Sequence, residues 1–145
     1  MFSSKLSVAV HILSLIARNK DDALSSEWIA GSINTNPVVV RKIMTLLRKA
    51  DIINTTRGTS FPTLNKEPKD ISLLDVYKAV EERQELFDIH QNTNQQCIVG
   101  RNIQNSLDEQ YNKVKTKMEA ELMSCTLDDV VKCINKDLKI QGELK

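Results

Sequence analysis

The stretch SSEWIAGSINTNPVVVRKIMTLLRKA, residues 25–50, carries two short helical patterns separated by only a few polar residues. Ser25 or Ser26 can cap the first helix, SEWIAGSI, whose Trp28, Ile29 and Ile33 are expected to point one way. Asn34-Thr35-Asn36-Pro37 then interrupts the pattern. Asn36 is a good N-cap, and Pro37 suits the first helical position because its missing N–H would find no intrahelical partner there. A helix over 37–50 that follows so closely on another has helix–turn–helix spacing.

On that second helix the residues sort by angle, at about 100° per residue. Val40, Ile43, Met44 and Leu47 share one face and should pack inward. Val38, Arg41, Lys42, Thr45, Arg48 and Lys49 share the other. A charged helix face is most often a solvated surface. Here it also has the composition of a recognition helix, because Arg and Lys reach guanine edges or phosphates and a valine can touch a thymine methyl.

The residues that follow favour recognition. Residues 52–56 are β-branched and short, Arg57-Gly58 makes a turn, and TSFPTL (59–64) can return as a second strand, so the pair reads as a wing. Pro62 cannot donate to a ladder, which makes the returning strand an edge or a very short one. Arg57 at the tip, with Thr56, Thr59 and Ser60, could engage phosphates or a minor groove. Ser26 and Asn36, at the two helix starts, complete the expected DNA-contacting set.

Outward from this core, KLSVAVHILSLIAR (5–18) is apolar on nearly all sides, as a central helix should be. Residues 65–70 form a polar linker, and Ser72 with Asp75 starts a helix running to about Arg83. Residues 84–96 are polar and irregular around Leu86, Phe87 and Ile89. From about Gly100 to Met123 a long amphipathic helix is indicated by Ile103, Leu107, Tyr111, Val114, Met118 and Leu122, at spacings of three and four. It is longer than one face of a small winged helix can cover, and a partner chain is the natural place for the surplus stripe, giving a twofold homodimer. Thr126 caps a final helix to about Asp137.

The fold class expected is therefore mainly α with a small two-stranded β-wing: a winged helix–turn–helix plus a long C-terminal dimerisation helix. Residues 1–69 form the DNA-binding region and 70–145 the helical linker and dimerisation region, within one compact chain. Charge divides at the same place, with ten Lys and Arg against five Asp and Glu through Lys69, and ten against fourteen from Asp70 onward. A hydrophobic content of 41% is too high for a disordered chain. No stretch approaches the roughly 18 apolar residues of a membrane span. The apolar run 6–17 lacks a basic lead-in and a cleavage site, so it is not expected to be a signal peptide. Cys97, Cys125 and Cys133 give no CxxC pair and no even disulfide framework, which fits reduced thiols in the cytoplasm. An enzyme is not expected, because neither His11 nor His90 has an evident catalytic partner and no phosphate loop or paired-carboxylate motif stands out. The alternative is a winged helix used for protein–protein contact, or one that has lost strong DNA binding.

Four stretches, SSEWIAGSINTNPVVVRKIMTLLRKADII (25–53), KDISLLDVYKAVEE (69–82), LFDIHQNTNQQCIVGRNIQ (86–104) and MEAELMSCTLDDVV (118–131), resemble the Rrf-two-type winged-helix regulators of bacteria, and within them the YwnA-like branch. The resemblance implies dimers with a long dimerisation helix, palindromic operators in double-stranded DNA, and usually repression. Two departures matter. Ser60-Phe61, followed by Pro62, stands where the family's wing often carries Gly-Gly, so the wing should be stiffer. Cluster-binding members carry three closely spaced cysteines before or at the long helix, and this chain has only Cys97 there, so no iron–sulfur cluster, no other metal and no cofactor is expected. Cys97 is instead a candidate sensor of an oxidant or small-molecule signal, because helix-end N–H groups and nearby Arg101 would favour its thiolate. The competing reading is a small residue packed under the helix, and Cys125 and Cys133 are assigned to the core.

Overall fold

A computed structural model describes residues 3–20, 22–54 and 62–143. Helix α1 (Lys5–Arg18) runs through the centre, with Ala9, Ile12, Leu13 and Ile16 buried. Next come α2 (Ser26–Ile33) and α3 (Pro37–Lys49), then a short antiparallel pair, β1 (Ile53–Asn54) and β2 (Thr63–Leu64). Ile53 pairs with Leu64 and Asn54 with Thr63. Pro62 is buried immediately before β2, so the residue that cannot donate sits outside the ladder. The expected mainly α architecture with a two-stranded β element is the one found.

The polar linker is partly ordered as a 3-10 turn, Pro68–Asp70, and leads into α4 (Leu73–Val80). The long helix is α5 (Ile98–Ser124) and the last is α6 (Leu127–Ile140). Both α4 and α6 begin with a complete capping box. Ser72 Oγ accepts from Asp75 N and the Asp75 carboxylate accepts from Ser72 N, while Thr126 and Asp129 do the same. The bond from the Thr126 backbone N–H holds the Asp129 carboxyl below the ordinary carboxylate range. The two caps lie side by side: Leu73 N donates to Cys125 O at 2.8 Å and Leu127 N to Ile71 O at 2.9 Å. That bridge sends Leu127 into the core, where it is fully buried with Ile71, Val76, Val80 and the inner faces of α1 and α3.

Several expected boundaries and orientations are corrected. Helix α4 stops at Val80 rather than Arg83: Glu81 is extended, and its carboxylate accepts a hydrogen bond from Ser3 Oγ. Helix α5 begins two residues before Gly100, and α6 continues three beyond Asp137. Gly100 lies inside the first turn of α5 because a Cβ there would collide with the Asn94 carbonyl, so the glycine permits a close backbone approach. Trp28 does not join Ile29 and Ile33. It is half exposed, whereas Ile29 is fully buried and Ile33 half-buried. Cys133 is exposed and Cys125 only half-buried, so neither belongs to the core.

Candidate nucleic-acid interface

The turn between α2 and α3 is three residues long and tightly bonded. Asn34 adopts the left-handed conformation (φ 62°) that ends α2, and Thr35 N donates to Ala30 O at 3.0 Å. Ser25 Oγ accepts from Trp28 N at 3.0 Å, so Ser25 rather than Ser26 caps α2. Asn36 Oδ1 accepts from Val38 N at 2.8 Å, and Pro37 occupies the first position of α3. Asn36 therefore uses its side-chain carbonyl oxygen to start the helix, and its amide N–H groups take no part in the cap.

Helix α3 is fixed from one side. Val40, Ile43, Met44 and Leu47 are all buried, which matches the inward face expected from the sequence. The opposite side presents Val38, Arg41, Lys42, Arg48 and Lys49 as exposed residues, with Thr45 half-buried. These side chains are partly organised among themselves. Arg41 Nη1 lies 3.4 Å from Glu27 Oε1, Thr45 Oγ1 donates to Arg41 O at 2.9 Å, and Arg48 Nη2 donates to Thr45 Oγ1 at 3.1 Å. Glu27 was not among the residues expected at this surface, and neither was Val39, which is 40% exposed beside Val38.

The base of the hairpin is held by backbone and side chain. Ile52 N donates to Leu47 O, and Asn65 N donates to Ile52 O, both at 3.0 Å. Asn65 Nδ2 donates to Asp51 O at 3.1 Å and to Asp51 Oδ1 at 2.9 Å, across a residue that itself has positive φ. The hairpin thus leaves α3 in a fixed direction. Thr56, Arg57, Thr59 and Ser60, the expected tip contacts, lie outside the described residues.

A helix–turn–helix with one face locked into a core, the other basic, and a hairpin base directly behind it is now in place. Residues 2–133 match a family model described as Rrf2, iron-dependent transcriptional regulator. The chain belongs to the Rrf2 family. It is a transcriptional regulator rather than an enzyme. It is 53% identical over 131 residues, 90% of this chain and 97% of the relative, to YwnA of Bacillus subtilis (strain 168), a protein provisionally assigned as an HTH-type transcriptional regulator. A crystal structure of a protein provisionally assigned as DNA-binding is similar at a TM-score of 0.73 and 50% identity, covering 88% of this chain and 98% of that one. CymR, described as the global cysteine regulator of B. subtilis, shares the fold at a TM-score of 0.66 and 19% identity, with 91% of this chain and 96% of that chain covered.

Iron, which the Rrf2 description names, would need several Cys, His or carboxylate donors gathered at one point. Cys97 and Cys125 sit at opposite ends of α5, whose 27 residues span about 40 Å at 1.5 Å per residue. Their thiols cannot share an ion within one chain. Among the described residues no group of three or more His, Cys, Asp or Glu is placed to hold a metal. The donor set does not fit iron. Cys97 is exposed, not packed under the helix. It takes the N-cap position of α5, but its side chain makes no capping hydrogen bond, and Arg101 Nη1 donates to the Gln95 carbonyl at 3.5 Å.

The stripe expected for dimerisation divides in two. Tyr111 packs against Phe87 of its own chain, the rings tilted by 47° with centroids 5.0 Å apart. Met118 and Leu122 line a small cavity together with Leu6, Tyr77 and Leu86. Ile103 and Leu107 are half-buried, and Val114 is exposed at mid-helix. No residue of α5 is fully buried in the single chain.

Proposed function

We propose that this Rrf2-family chain binds double-stranded DNA as a homodimer, each copy laying α3 in a major groove of a palindromic operator, and that it represses transcription from the cytoplasm. The observation that carries this reading is the two-sidedness of α3. Four buried residues fix it while its exposed face presents Val38, Arg41, Lys42, Arg48 and Lys49. Ser26, Asn36, Thr45 and the wing residues Thr56, Arg57, Thr59 and Ser60 complete the proposed contact set. Operator affinity should fall with salt at a log–log slope near −3.6 for four phosphates neutralised. Arg41→Ala and Lys42→Ala are each expected to weaken operator binding by about 1–3 kcal/mol, or to shallow the salt slope by about one, with the dimer intact. Filter binding with sedimentation checks this. Absence of duplex affinity at low salt would overturn it in favour of a protein-interaction module.

The proposed signal is an oxidant or electrophile acting at Cys97, supported by the exposure of that thiol at the start of the proposed dimerisation helix. Oxidation is expected to change the operator affinity of the wild type and to leave Cys97→Ser unaffected. Wild-type binding that ignores oxidant discards this part of the reading and keeps the rest.

A further inference from the structure

Glu27 is the second residue of α2, and Arg41 stands fourteen positions later on α3. Their side chains meet at 3.4 Å between Glu27 Oε1 and Arg41 Nη1, with the carboxylate side chain 70% and the guanidinium side chain 54% exposed. The pair lies on the same surface as the other cations of α3, so an acid is seated among bases where phosphates are expected to approach. An exposed pair of this kind adds little to folding. Its consequence is electrostatic and directional. A phosphate that captured the Nη1 arm of Arg41 would have to displace the Glu27 carboxylate and then sit beside it, anion against anion. A guanine meets less of that opposition: either ligand can accept from the Nε–Nη2 edge that Glu27 does not hold, but a phosphate brings a full negative charge beside the carboxylate, whereas the O6 and N7 of a guanine are neutral acceptors.

We infer that Glu27 is a specificity-determining positioning residue: its carboxylate withholds one arm of Arg41 from phosphate and leaves the opposite edge of the guanidinium for a guanine. The inference rests on the proposed reading of α3 as the DNA-contacting helix. It makes discrimination a difference between two affinities, with the sequence-independent one lowered on purpose by a like charge. The simpler role for Glu27 is as a first-turn acid complementing the α2 dipole, which concerns stability and not base choice.

The test uses the full chain and three duplexes of equal length. The first is the duplex that wild type selects from a random-sequence pool. The second is that duplex with the G·C pair sensed by Arg41→Ala changed to A·T, and the third is mixed-sequence DNA. Glu27→Gln, which keeps shape and removes charge, is expected to bind mixed-sequence DNA about 2–5-fold tighter and to steepen its salt slope by about one per subunit. Its preference for the selected duplex over the A·T version should fall by a similar factor. In the Arg41→Ala background, Glu27→Gln should leave that preference unmoved, since the coupling is between these two side chains. An unchanged preference in Glu27→Gln, or the same change with Arg41 absent, overturns the inference while DNA binding stands. A wild type without salt-dependent duplex binding overturns both readings together. A change confined to thermal stability assigns Glu27 to the α2 dipole and overturns the inference.

Discussion

Leu127→Ala is expected to destabilise the protein by about 2–5 kcal/mol, lowering its Tm by roughly 6–15 °C at about 3 °C per kcal/mol. Leu127 is the one described residue of α6 that is fully buried. It enters the core directly beneath the bridge between the two capping boxes, with Leu127 N bonded to Ile71 O at 2.9 Å and Ile71 itself only 1% exposed. Val131, one turn on, is partly buried against the same cluster. The surrounding backbone is held by hydrogen bonds on both sides and can collapse little into the space left, so the cavity cost adds to the lost transfer energy. The cluster reaches from Ala9 on α1 to Leu127 on α6, and we therefore expect one transition in which both halves of the chain unfold together. Thermal unfolding followed by circular dichroism checks this. Lys136→Ala, an exposed change on the same helix, is the control and should move stability by no more than about 0.5 kcal/mol. A Leu127→Ala protein as stable as the control, or one in which α6 melts alone, would show that the last helix is not part of the core.

What could be read from the sequence follows from how local each signal is. Asn36-Pro37, Ser72 with Asp75, and Thr126 with Asp129 act across two or three residues, and each stands in the structure as the cap its residue types indicate. The inward face of α3 was equally legible, since four apolar residues at helical spacing admit one buried side. Trp28 misleads because its apolar identity suggests burial where its angle on the helix does not. Ile29 and Ile33 are one turn apart and share a side, whereas Trp28 sits about 100° away from Ile29. The end of α4 has no local mark: nothing in Glu81-Glu82-Arg83 breaks a helix, yet Glu81 is extended. Gly100 looked like a helix start and is instead the place where the Asn94 carbonyl comes close, a fact about a loop whose path the sequence does not state. The Glu27–Arg41 pair depends on how α2 crosses α3, and the bridge between Ser72 and Thr126 on how α4 meets α6. Neither has a sequence spacing that could announce it.

Dimerisation is where sequence pattern and packing have to be weighed together, and it yields the largest functional effect. Helix α5 contributes no residue to the buried core cluster, although its 27 residues make it the longest described element. Tyr111 packs against Phe87 of the same chain, and Met118 and Leu122 are half-buried beside a cavity they share with Leu6, Tyr77 and Leu86. Val114 is not: it is 47% exposed near the middle of the helix. On the proposed twofold arrangement Val114 faces the second copy, and Val114→Glu places a carboxylate from each protomer at one apolar seam. Each would be desolvated without a partner, and they would repel one another. The expected outcome is a folded monomer, because the substitution touches none of the buried core, and a loss of about 10²–10⁴-fold in affinity for a two-half-site duplex, the advantage that joining two reading helices confers. Affinity for a single half-site should change far less, since α3 and its cations remain in place. Val114→Leu should behave as wild type. Sedimentation equilibrium gives the mass and titration of the two duplexes gives the split. A Val114→Glu protein that stays dimeric would move the partner's contact elsewhere on α5, and one that is monomeric yet binds the full duplex as tightly as before would end the palindromic reading.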